Sequence, residues 1–87
     1  MPQIWKATYK GHKIRVENHG FRGEKLFIDD ELQDSHSGLS TRAQLQAKIK
    51  HGDGEGELVE VNLREGHNEK VECKLSLNGA PIPITES

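Results

Sequence analysis

Apolar and polar residues alternate with a period of two along most of this chain. Trp5, Ala7 and Tyr9 alternate with Lys6 and Thr8; His12, Ile14 and Val16 alternate with Lys13, Arg15 and Glu17. Side chains on an extended strand point to opposite faces in turn, so this pattern predicts half-buried strands. Glu24 to Ile28 reads as a short strand with apolar side chains on both faces. Further on, Val59, Val61 and Leu63 form one apolar face, and Val71, Cys73, Leu75 and Leu77 form another.

Turn residues separate these runs. Asn18-His19-Gly20 and Gly23 follow the second strand, Glu65 to Glu69 reads as a hairpin loop, and Asn78-Gly79 is a strong two-residue hairpin signal. Ala80 to Thr85 is then expected as a last short strand, on an edge because Pro81 and Pro83 lack backbone donors. Residues 39–50 are the ambiguous segment. Their composition suits a helix, with Ser40 or Thr41 as a cap. On a helix, however, Ala43 and Ala47 would lie nearly opposite Leu45 and Ile49, whereas on a strand all four share one face. The period predicts a strand.

The expected fold is therefore all-β: an antiparallel β-sandwich of seven or eight short strands in two small sheets, forming one domain over residues 1–87. The expected core contains Trp5, Ala7, Ile14, Val16, Leu26, Ile28, Leu45, Ile49, Val59, Val61, Val71, Cys73 and Leu75. Composition adds limits. Hydrophobic residues are 32% of the 87 and charged residues 30%, yet the net charge is only −2, which argues against disorder. The weak net charge also argues against a dedicated nucleic-acid partner. No apolar run reaches the length of about 18 residues that a membrane helix needs. The opening MPQIWKATYKG lacks signal-peptide character, and Cys73 alone cannot form an internal disulfide, so the expected compartment is the cytoplasm.

The stretch FIDDELQDSH, Phe27 to His36, packs four carboxylates and a histidine into ten residues. Aligned with Ser76 to Ile82, its Asp29-Asp30 stands where Asn78-Gly79 stands, which makes the two acids a turn. Asp34 and His36 can still share a strand face, and they are weak candidates for a metal site. Asp53, Glu55 and Glu57 form a second weak candidate. Their spacing by two resembles a calcium loop, but a twelve-residue frame starting at Asp53 ends on Arg64, a cation. No nucleophile elbow occurs, and Cys73 falls on an apolar strand face, where thiols are inert. Among the aromatics, Trp5 and Tyr9 read as core. Phe21, in a glycine-flanked loop beside Arg22, is a candidate anchor for a partner.

Gly11-His12-Lys13-Ile14, Val16-Glu17, His19-Gly20, Gly23 and the strand ending at Asp29 resemble the opening repeat of the Fas apoptotic inhibitory molecule family, over residues 5–34. Asp29-Asp30 stands where that family usually has Asp-Gly. The resemblance implies an all-β sandwich with a non-enzymatic, protein-binding role. The opening Trp-Lys-Ala-Thr-Tyr-Lys-Gly-His and the strand Gly-Glu-Lys-Leu also resemble small bacterial all-β proteins, and that likeness brings no activity with it.

The leading expectation is a non-catalytic protein-binding or scaffold module, without a cofactor. Its partner is an unidentified protein, with neither nucleic acid nor membrane, and the chain is a monomer or a weak homodimer through an edge strand. The alternatives are a calcium or zinc domain built on the acidic turns, and carbohydrate or peptide binding over an exposed Trp5 or Phe21.

Overall fold

The computed structural model describes residues 2–37, 42–66 and 70–87, with the backbone alone at positions 21 and 42. It forms nine strands: β1 (Gln3–Tyr9), β2 (His12–Asn18), β3 (Glu24–Ile28), β4 (Glu31–His36), β5 (Arg42–Lys48), β6 (Leu58–Glu65), β7 (Val71–Leu77), β8 (Ala80–Ile82) and β9 (Thr85–Glu86). One 3-10 turn, Gly20–Arg22, joins β2 to β3. The strands build two antiparallel sheets, ordered β4-β3-β2-β1-β9 and β5-β6-β7-β8. The sandwich expected from the period is the observed architecture, and residues 42–48 are strand. The expected helix caps at Ser40 and Thr41, and the tip of the loop at 67–69, lie outside the described residues. No described helix is long and apolar enough to cross a membrane.

Each sheet is built on a four-stranded meander, and the two meanders share their turn chemistry. Asp29 and Asp30 have φ of 52° and 65°, and Asn78 and Gly79 have 49° and 84°. Both pairs thus take the left-handed backbone that a tight hairpin requires, and Asp and Asn tolerate it better than most residues. Asp29 donates its N–H to the Lys13 carbonyl at 2.8 Å and accepts the Lys13 N–H on Oδ1 at 2.9 Å. Asn78 repeats both bonds on Leu58, at 2.8 and 2.9 Å. The short sequence echo is therefore a structural repeat, in which each turn residue prolongs the ladder by one side chain.

The facing sides of the sheets close over Trp5, Ile14, Val16, Leu26 and Ile28 from the first and Ala43, Leu45, Val59, Val61, Leu63, Leu75 and Leu77 from the second, with Ile49 from the loop after β5. Burying a side chain such as Leu45 stabilises the fold by about 1.5–3 kcal/mol. Two details of the expected core change. Leu63, Leu77 and Ala43 join it, while Ala7, Val71 and Cys73 are only partly buried against it. The expected last strand also splits. Ala80–Ile82 pairs with β7, the chain then crosses at Pro83-Ile84, and Thr85–Glu86 pairs with β1 in the other sheet.

Candidate functional site

Trp5, Ile14, Val16, Leu26 and Ile28 face inward, so the alternate residues of the first sheet face out. The register places Lys6 opposite Arg15, Arg15 opposite Phe27, and Phe27 opposite Leu32. One row thus crosses four strands, cationic at one end and apolar at the other. A register shift between Leu26 and Phe27 leaves Gln33 as the extra residue, so Leu32 faces out beside Phe27 while Asp34 pairs with Leu26. Leu32 is 50% exposed, the one large exposed hydrophobic among the described residues.

Arg15 sits over Phe27, its guanidinium carbon 4.3 Å from the ring centroid, a separation at which a cation and an aromatic face attract. Two carboxylates hold it there: Nε donates to Glu17 at 2.9 Å and Nη1 to Asp30 at 2.7 Å. Glu17 also meets Nε2 of His19 at 2.7 Å. His19, and then Arg15, hold the Glu17 carboxyl below its ordinary range. Around this stack Lys6, Lys13 and Lys25 make no ion pair among the described residues. Lys6, Thr8, Lys13, Arg15 and Asp30 border a depression of about 380 Å³. The outer face of the second sheet is more evenly mixed, with Arg64 paired to Glu72 at 3.3 Å.

Compared with family models, curated proteins and solved structures, the chain matches none. The chemistry of the site has to be argued from its own residues.

A second cluster lies where the β1–β2 and β3–β4 hairpins meet the loop between β5 and β6. His12 is buried, with Nδ1 at 2.7 Å from Asp29 Oδ2 and Nε2 at 2.7 Å from the Asp53 carbonyl oxygen. Asp29 and then the Asp53 carbonyl raise the His12 pKa above its ordinary value, and His12 in turn lowers that of Asp29. Glu57 makes the reciprocal contact, accepting from Tyr9 Oη at 3.0 Å and Lys10 Nζ at 3.3 Å.

The metal candidates separate. Asp34 accepts the backbone N–H of Gln46 on one oxygen and that of Ser35 on the other. His36 meets Glu24 at 3.2 Å, at the opposite end of the first sheet from His12. Glu55 is exposed on the loop, Asp53 offers its backbone oxygen to His12, and Glu57 is taken up by Tyr9 and Lys10. Among the described residues no three of His, Cys, Asp and Glu converge as a metal ion needs.

Of the partner candidates, Arg22 is exposed on the 3-10 turn, and the Phe21 side chain lies outside the described residues. Trp5 is 4% exposed, so it packs in the core rather than presenting a ligand surface. Burial pushes the Cys73 thiol up to about 12, with Glu86 adding to it. The Arg15–Phe27–Leu32 surface was not singled out from sequence. Its signal was the run Leu26-Phe27-Ile28, whose middle residue has the wrong parity for the core.

Proposed function

We propose that this protein is a non-catalytic binding module that takes an acidic, leucine-bearing segment of a partner protein on the outer face of its first sheet. The observation that carries this reading is the Lys6–Arg15–Phe27–Leu32 row flanked by Lys13 and Lys25. Arginine and large aromatics dominate interface energetics, and here Arg15 is already oriented by Glu17 and Asp30. The lysines supply attraction for carboxylates, but each exposed pair contributes only about 0.2–1 kcal/mol. Affinity therefore needs the apolar contact at Phe27 and Leu32, and the lysines set orientation and encounter rate. The same proposal places the protein in a reducing cytoplasm, where a lone partly buried thiol such as Cys73 persists.

Fluorescence anisotropy with a labelled peptide of alternating Glu and Leu tests it. Binding should weaken with added salt and fall about two- to tenfold for each of Lys6→Glu, Lys13→Glu and Lys25→Glu. Leu32→Ala should weaken it while leaving the thermal midpoint unchanged, since Leu32 is half exposed. Equal binding by the wild type and the triple charge reversal would overturn the proposal.

A further inference from the structure

His12 is placed where only one protonation state satisfies it. Its two ring nitrogens face the Asp29 carboxylate and the Asp53 carbonyl oxygen, each at 2.7 Å. Neither an ionised carboxylate nor a carbonyl can donate a hydrogen bond. A neutral imidazole has one N–H and one lone pair, so it can serve one of these oxygens and must turn a lone pair on the other. The imidazolium serves both.

The two contacts are not equivalent. Asp29 belongs to the first sheet, where its turn is tied to Lys13 through backbone and side chain. Asp53 belongs to the loop between β5 and β6, a unit that is bonded mainly to itself. Ile49 N–H meets the Glu57 carbonyl at 3.0 Å, Gly56 N–H the Ile49 carbonyl at 2.8 Å, Glu55 N–H the Gly52 carbonyl at 3.2 Å, and Glu57 N–H the Gly54 carbonyl at 3.0 Å. The base of this loop is held to the first hairpin by Glu57, through Tyr9 and Lys10. Its tip is held by His12. The tip is also fitted to the ring: a Cβ at Gly52 would stand 3.4 Å from His12 Cε1 and 3.5 Å from Nε2. Beside the ring is a cleft of about 120 Å³ with Ile28 and Ile49 in its wall. The charged groups around it are Asp29 from the β3–β4 turn, Glu31 from β4, Lys48 at the end of β5, and Lys50 and His51 in the loop that follows.

We infer that His12 is a proton-operated latch: protonated, it pins the Asp53 tip of the loop to the first sheet, and on losing its proton it releases that tip and opens the cleft beside Ile28 and Ile49. The carboxylate of Asp29 keeps the remaining proton on Nδ1, because a charged acceptor holds an N–H more strongly than a carbonyl does. Nε2 is then left with a lone pair aimed at the lone pairs of the Asp53 oxygen, and the loop is the partner free to move. Asp29 raises the affinity of His12 for its proton, which sets the release above the ordinary histidine range.

The test is NMR of the full chain titrated from about pH 5 to about pH 9, across the range in which histidine changes charge. The ring signals of His12 and the amide signals of Asp53, Gly54 and Glu55 should move with one shared midpoint, while Glu60 and Val61 stay flat. His12→Gln should abolish the loop transition. Asp29→Asn, whose Oδ1 can still accept the Lys13 N–H while its amide donates to Nδ1, lets the neutral ring keep its N–H on Nε2 for Asp53, so the loop transition should be lost. His51→Gln should leave it unchanged. A wild-type His12 ring that titrates without the loop, or a loop transition that persists in His12→Gln or in Asp29→Asn or disappears in His51→Gln, would overturn the inference.

Discussion

The carboxylate of Asp34 accepts the backbone N–H of Gln46 at 2.9 Å, joining the edge of one sheet to the edge of the other. Strand β4 ends the first sheet and β5 ends the second. An edge strand presents unpaired backbone groups that invite pairing with another chain. Asp34 covers one of them, and its other oxygen takes the N–H of Ser35, which fixes the side chain. Asp34→Ala should therefore lower stability by about 1 kcal/mol in urea unfolding and speed hydrogen exchange at Gln46. Asp34→Asn keeps an acceptor and should recover much of the loss. If Gln46 exchanges no faster in the alanine variant, the carboxylate is not covering this edge.

The second hairpin of the repeat offers a test of backbone strain free of packing. Gly79 has φ of 84°, and a Cβ added there would meet nothing within 4 Å. Gly79→Ala should cost about 1 kcal/mol, the left-handed penalty less the entropy that alanine removes from the unfolded chain. Gly79→Asn should cost less, because Asn tolerates this conformation. A neutral alanine variant in urea melts would show that the turn relaxes to another type.

Period two was enough to read β1, β2, β5, β6 and β7, and at β5 it overruled a helix-forming composition. The period alone did not turn Asp29-Asp30 from a reactive pair into a corner; alignment with Asn78-Gly79 did. The period could not show where a neighbouring strand stops. Val71 and Cys73 have the parity of core residues, but β8 pairs only with Leu75 to Leu77 and leaves that end of β7 without a neighbour on one side. Nor could it show the chain changing sheets at Pro83-Ile84. The His12–Asp29 contact was within reach of the sequence, because a two-residue turn that places Ile28 opposite Ile14 brings Asp29 beside Lys13 and His12. The Asp53 contact, 41 residues away from His12, was not, since it depends on how the two sheets stack.

Cys73 gives a chemical check on that partial burial. With its thiol pushed up to about 12, it holds about one thiolate in ten thousand molecules at pH 8. Iodoacetamide should alkylate it about a thousand-fold more slowly than a free cysteine, and the ordinary rate should return in denaturing urea. An alkylation rate near that of free cysteine in the native protein would mean that β7 opens at this end.

The clasp at His12 also predicts how stability depends on pH. The folded-state pKa of His12 is raised, so its contribution is fully present below about 6.5, the unfolded value, and is lost as pH rises through the folded value. The folded-state pKa of Asp29 is lowered, so its contribution is present above about 3.8 and is lost as pH falls through the folded value. Glu17, lowered by His19 and Arg15, acts in the same sense as Asp29 on the acid side. Stability should therefore form a plateau in weak acid, decline on the alkaline side through His12, and fall in stronger acid through Asp29 and Glu17. Urea midpoints measured across this range give the profile. In His12→Gln the alkaline decline should flatten, and the acid decline should become shallower because Asp29 has lost its cation. In Glu17→Gln only the acid limb should change. An alkaline decline of undiminished size in His12→Gln would assign it to another group and remove the clasp as its source.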